Sequence, residues 1–196
     1  MRMAFNMAIE KGDCITVEPI RDLKKLNKMK DYLLKSNERD YLMFVIGINS
    51  GLRIGDLLSL TVDDVAGKEH IIIREEKTDK VKRFALSDAC KKAIKDYLKN
   101  SGQTEGYLFK SRKGDKAIST VQAWRIINDA ATYAKIGENI GTHTMRKTFG
   151  YHALRKGIDI AYIMECLNHS TPAITKRYIG ITQDELNDRV YLNMNL

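Results

Sequence analysis

His143-Thr144-Met145-Arg146 sets an imidazole and a guanidinium three residues apart, and on a helix that spacing puts both on one face, where they could hold the same anion. A second arginine, Arg53, stands in Ser50-Gly51-Leu52-Arg53-Ile54-Gly55-Asp56-Leu57, just past a helix-ending glycine, where a helix start could face a cleft. Further on, Leu167-Asn168-His169-Ser170-Thr171-Pro172 supplies another imidazole at a helix end, and Lys176-Arg177-Tyr178 places a phenol in a basic setting. Each fragment also has an ordinary reading. Arg53 could be a surface arginine, His169 a helix cap, Lys77 a solvated hairpin charge and Tyr178 a half-buried packing tyrosine. The chain contains no GxxxxGK[ST] phosphate loop, no HExxH, no GxSxG and no dense carboxylate cluster for two metals, which argues against metal-dependent nuclease chemistry.

The elements that would position these groups are legible in the periodicity. Pro19 precedes Ile20, Leu23, Leu26, Met29, Leu33 and Leu34, whose spacing predicts an amphipathic helix. A second helix is predicted over Arg39 to Asn49, stopping at Gly51, and Leu57, Leu58 and Leu60 suggest a short third. The β-branched runs His70 to Ile73 and Val81 to Leu86, separated by Glu76-Lys77-Thr78-Asp79-Lys80, predict a small hairpin. Ser87 is a candidate N-cap for a helix from Asp88 to Asn100, ended by Ser101-Gly102, and Tyr107-Leu108-Phe109 reads as a short strand before a basic loop. Helices then follow over Thr120 to Ala134, Thr142 to Lys156, Ile160 to Leu167 and Pro172 to Tyr178. Thr182-Gln183-Asp184-Glu185 matches a capping box opening a last helix with Leu186, Val190 and Tyr191. The expected class is α+β, mainly helical: a helical bundle with a small antiparallel sheet.

Composition bounds the rest. With 196 residues, 43% hydrophobic and 30% charged, the chain matches one globular domain and not a disordered segment. Its 33 Lys and Arg against 25 Asp and Glu give +8, a field favouring polyanions, nucleic acid first among them. Cys14, Cys90 and Cys166 lack CxxC spacing and read as reduced thiols. No apolar run approaches the roughly 20 residues that span a bilayer, so a cytoplasmic, nucleoid-associated protein without membrane partners is expected.

Taken in order, the fragments say more than any does alone. GLRxxDL, a lysine on a hairpin, HxxR, and LxHS followed by TxxxY resemble the tyrosine recombinase, or phage integrase, family from about Pro19 to Tyr178. The resemblance implies the tyrosine recombinase catalytic fold over 19–178, an N-terminal extension over 1–18, and a tail helix over 179–196 that docks on a neighbouring protomer or packs in cis. It implies that Arg53 and Arg146 bind the phosphate, Lys77 is the hairpin lysine, His143 and His169 support, and Tyr178 is the nucleophile. Asp56 stands where most relatives have glutamate, one methylene shorter yet still able to orient a cation.

The implied function is site-specific strand exchange on double-stranded DNA through a 3′-phosphotyrosyl intermediate, without cofactor or metal. A homotetramer on synapsed sites is implied, monomeric or weakly associated when free. Lys80, Lys82, Arg83, Lys110, Arg112, Lys113 and Lys116 are candidate DNA-backbone contacts. The family plan also carries a core-binding domain before the catalytic one; its absence here would mean a minimal recombinase, a partner-dependent one or a trimmed form. The rival readings are a type IB topoisomerase-like nicking-closing enzyme, against which HxxR argues, and a catalytically silent DNA-binding regulator, against which the filled catalytic positions argue.

Overall fold

Asp22 turns an extended lead-in into the first helix: its carboxylate accepts from the backbone N–H groups of Lys24 and Lys25, donors that a helix start leaves without partners. In the computed structural model, which describes residues 17–182, 185, 187 and 191–194, α1 covers Leu23–Ser36. The apolar spacing begins at Ile20, yet the helix begins at Leu23. Ile20 is buried in the extended segment, its N–H donating to Thr148, while Leu23 and Leu34 face solvent.

Helix α2 (Glu38–Ser50) is the centre of the molecule. Leu42, Met43, Phe44 and Ile46 are fully buried, because α1, α5, α6 and α7 surround it. Each such side chain contributes roughly 1.5–3 kcal/mol relative to exposure. The helix ends on Gly51 at φ 62, a left-handed value that a Cβ would strain, and this sharp stop starts α3 (Ile54–Leu58) only after Arg53. Leu60 lies beyond α3, and α4 (Val62–Val65) follows as a single turn too short to leave a periodic signature.

Strands β1 (His70–Arg74) and β2 (Val81–Ala85) pair antiparallel, His70 opposite Ala85 and Arg74 opposite Val81. The period of two turns Ile71 and Ile73 inward against Phe84 and Lys82. Helix α5 (Asp88–Ser101) is capped by Ser87 and closed by Gly102. The strand expected at Tyr107 to Phe109 is reduced to a bridge between Thr61 and Tyr107: Leu108 donates to the Leu60 carbonyl, and Leu108 and Phe109 are buried as core side chains.

The second half holds α6 (Thr120–Tyr133), α7 (Thr142–Arg155), α8 (Ile160–Cys166) and α9 (Pro172–Tyr178). Thr171 caps α9 and Pro172 starts it, the arrangement expected from the sequence. Tyr151, Ala153, Ile163, Leu167 and Ile179 form a second, small core that fixes α8 and α9 against α7. Gly150 makes that packing possible, since a Cβ there would sit 2.6 Å from Ile179 Cγ2.

Beyond α9 the expected last helix falls largely outside the described residues, Leu186 and Val190 included. Glu185 N–H donates to Thr182 Oγ1 at 3.2 Å, as in a capping box, but the Glu185 carboxylate accepts from the Tyr151 hydroxyl at 2.7 Å and does not return to Thr182. Tyr191–Asn193 is a short 3-10 turn. Cys90 and Cys166 are free thiols, and Cys14 lies outside the described residues. Among the described residues no helix is long and apolar enough to cross a membrane.

Candidate active site

Arg146 is where the central packing becomes chemistry. Helix α7 lies against α2, so Arg146 is 3% exposed and donates to the carbonyls of Gly51, at the end of α2, and Leu167, at the end of α8. A guanidinium has five N–H donors, so these two bonds lock its plane and leave others for an incoming oxyanion. The sharp end of α2 at Gly51 therefore both orients Arg146 and releases Arg53 alongside it.

Arg53 is steadied by two buried carboxylates: its Nη1 lies 2.9 Å from Glu75 Oε2 and 3.9 Å from Asp56 Oδ2. Asp56 does more than face a cation, because its Oδ1 also accepts from the N–H of Glu76 at 2.9 Å and so ties the β1–β2 turn to α3. Lys77 follows at the exposed tip of that turn, and its charge reaches His143.

Tyr178 ends α9 half-buried with its hydroxyl 3.5 Å from His143 Nδ1. The His169 ring stands edge-on to the tyrosine ring, centroids 4.8 Å apart. Burial pushes the phenol above its ordinary pKa, and Arg146 and Arg53 pull against that rise. His143 is shifted below its ordinary value by partial burial and then by Arg146, Lys147, Lys77 and Arg53, so at neutral pH it is an uncharged ring able to accept the phenolic proton. His169 is lowered for the same reasons, burial first, then the two arginines. The Thr175 hydroxyl donates to the Thr171 carbonyl at 3.2 Å and accepts from His169 Nδ1 at 3.1 Å, which fixes the ring and turns Nε2 outward as the remaining functional nitrogen.

The candidate DNA contacts divide. Lys80 and Lys82 border the cluster around Arg53 and Arg146: Lys80 Nζ reaches Asn168 Oδ1 at 3.4 Å, and Lys82 Nζ donates to the Cys166 carbonyl at 2.8 Å. Burial, then Arg146, lowers the Lys82 ammonium below its ordinary pKa. Arg83 points to the opposite face of the hairpin, paired across from exposed Ile72. The loop with Lys110, Arg112, Lys113 and Lys116 is exposed and attached elsewhere, since Arg39 at the start of α2 donates to the Lys110 carbonyl. At 1.5 Å per residue, α2 puts that loop on the order of 20 Å from Gly51.

The structure adds residues that sequence reading passed over. Glu75 is 2% exposed against Arg53, and its signal was present: it continues the inward phase of Ile71 and Ile73 one residue past the end of β1. Lys147 is 8% exposed with its ammonium 5.1 Å from the centre of the Tyr178 ring. It sits among polar neighbours on α7, where no apolar stripe marks the buried face.

The phage integrase family model matches residues 20–185. A probable integrase/recombinase, YoeC of Bacillus subtilis, is 49% identical over 168 residues, which cover 86% of this chain and 92% of that protein. The tyrosine recombinase XerA of Pyrococcus furiosus is 28% identical over 170 residues, but this chain spans only 59% of its length. Among solved structures, XerA recombinase superposes with a TM-score of 0.76 at 24% identity, covering 94% of this chain and 66% of that one. The catalytic domain of bacteriophage HP1 integrase gives 0.59 at 20% identity, covering 91% and 96%. The fold is thus that of tyrosine recombinase catalytic domains, and with the family model spanning most of the sequence, the chain belongs to the phage integrase family.

Proposed function

We propose that this chain cuts and rejoins double-stranded DNA as a site-specific tyrosine recombinase. The observation that carries the reading is the Tyr178 hydroxyl held 3.5 Å from neutral His143 Nδ1, beside the locked guanidinium of Arg146. The Tyr178 oxygen attacks the phosphorus, giving its proton to His143; the bond to the 5′ oxygen breaks, and Lys77 protonates that leaving oxygen. Arg53 and Arg146 hold the nonbridging oxygens as charge builds on them, while His169, its ring edge-on to Tyr178, supports the nucleophile. The product is a 3′-phosphotyrosyl link and a free 5′-hydroxyl, which keeps the bond energy for the second strand to attack. Lys77 suits the acid because its side chain is free at the exposed turn, whereas Lys82 is engaged with the Cys166 carbonyl.

DNA fits this reading: the fold neighbour XerH has been solved bound to its palindromic difH substrate in a post-cleavage complex. The +8 charge and the Lys80–Lys82 side of the hairpin favour the same partner, with Arg83 and the Lys110 to Lys116 loop as outer phosphate contacts. The assembly proposed is a homotetramer on two synapsed sites in the cytoplasm, the exposed Tyr191, Leu192 and Met194 meeting a neighbouring protomer. Deleting 183–196 should then abolish synapsis in gel-shift assays while single-site binding remains; unchanged synapsis rejects the docking.

The function is tested by incubating the protein with supercoiled DNA carrying two copies of a site selected from DNA that the protein binds, without metal or ATP. The expected result is an SDS-resistant adduct together with exchanged products. Relaxation without exchange would make it a nicking-closing enzyme, and binding without an adduct would make it a regulator.

A further inference from the structure

Both chain neighbours of Lys77 are tied to buried carboxylates. The N–H of Glu76 donates to Asp56 at 2.9 Å, and the Thr78 hydroxyl donates to Glu75 Oε2 at 2.7 Å. That same Glu75 oxygen lies 2.9 Å from Arg53 Nη1 and receives a long 3.5 Å contact from the Asn168 amide, one residue before His169. One carboxylate, 2% exposed, therefore touches the residue that holds the phosphate, the turn that carries the acid and the loop that carries a supporting histidine. The turn also closes on Glu75 through its backbone, whose N–H donates to the Lys80 carbonyl and whose carbonyl accepts from Asp79.

Such an arrangement is rigid for a physical reason. A buried carboxylate stripped of a partner is strongly unfavourable, so movement of any of the three segments is opposed by the other two. Burial pushes the Glu75 carboxyl up, but the Thr78 hydrogen bond and the Arg53 charge outweigh it and hold the group below its ordinary pKa, ionised at neutral pH.

We propose that Glu75 is a positioning residue that sets the Lys77 turn in register with Arg53, so that acid and guanidinium meet the same phosphate. This rests on Lys77 being the leaving-group acid. Glu75 acts through its neighbours and contacts no DNA. Its side-chain link to the Lys77 turn runs through the Thr78 hydroxyl, whose removal leaves both partners of the Arg53 pair in place.

The test is single-turnover cleavage of duplexes whose scissile 5′ bridging atom is either oxygen or sulfur. A thiolate departs without protonation, so sulfur restores variants that fail only in supplying the proton. Thr78→Val should cut the oxygen substrate up to about 100-fold more slowly, the effect of a misplacement near 1 Å, and return close to wild type on sulfur. Thr78→Ser, which keeps the hydroxyl, should match wild type on both. Glu75→Ala should be slow on oxygen and only partly restored on sulfur, because Arg53 also loses its partner, while the DNA affinity of the two Thr78 variants stays unchanged. Thr78 lies in a surface turn, so its variants fold even if Glu75→Ala does not. A Thr78→Val protein that is unslowed, or equally slow on both substrates while Lys77→Ala is restored by sulfur, overturns the coupling alone. Lys77→Ala left slow on sulfur removes the acid role and the coupling with it.

Discussion

Lys147 shows how a residue outside the expected set can bear on Tyr178, the proposed nucleophile. The residue is largely buried, its ammonium lies over the Tyr178 ring, and burial pushes its pKa down. A cation so placed attracts the ring, and attracts it more once the phenol becomes phenolate. Lys147→Met keeps the length and removes the charge. Loss of a contact worth about 0.5–2 kcal/mol should slow cleavage roughly 2- to 30-fold, and relief of a buried charge should leave thermal stability equal or higher. Single-turnover rates and a melting curve check this; an unchanged rate shows that the cation only fills space. Such a residue could not be read from sequence, because a lysine beside Arg146 looks like one more surface charge until α7 is seen to be buried around Thr144 to Thr148.

At the scale of elements, α2 and α7 do most of the positioning. The end of α2 at Gly51 was legible from a glycine after an apolar run, and with it the placement of Arg53. The fit of α9 against α7 was not, because it depends on Gly150 meeting Ile179, a contact across a gap in sequence that no local pattern encodes. Alanine is the better helix former by about 1 kcal/mol. At this position its Cβ would lie 2.6 Å from Ile179 Cγ2 and 3.1 Å from Leu167 Cδ1, and overpacking of that kind costs about 1–3 kcal/mol. Gly150→Ala should therefore lower the melting temperature, and should lower cleavage further still, because Ile179 follows Tyr178. A variant as stable and as active as wild type would show that the second core yields freely. The strand expected at Tyr107 to Phe109 failed for a related reason: a short apolar run marks burial, but a ladder needs a partner strand, and the segment finds isolated bridges, Tyr107 with Thr61 and, just beyond it, Lys110 with Ala117.

Across the whole molecule, the order of motifs carried the fold, and groups from α3, the hairpin, α7, the α8–α9 loop and α9 converge on one side of the core. Convergence also leaves an imprint on stability. His143, His152 and His169 are all held below their ordinary pKa, each by burial first, so the folded chain resists protonation that the unfolded chain accepts. As pH falls through about 6.5 the unfolded state gains protons first, and stability must fall with it. Melting temperature should drop between pH 7.5 and 5.5, a window in which Glu75, whose pKa is lowered, stays ionised and contributes no change. A flat or rising curve would contradict the burial of these rings.

The assignment of Tyr178 is tested most directly by trapping the protein on a nicked duplex that loses its 5′ strand after cleavage, digesting the adduct and locating the nucleotide by peptide mass. The nucleotide should be on the peptide that contains Tyr178, and Tyr178→Phe should bind the duplex yet trap none. A nucleotide on the peptide of Tyr162 or Tyr191, or an adduct that persists in Tyr178→Phe, would contradict the assignment.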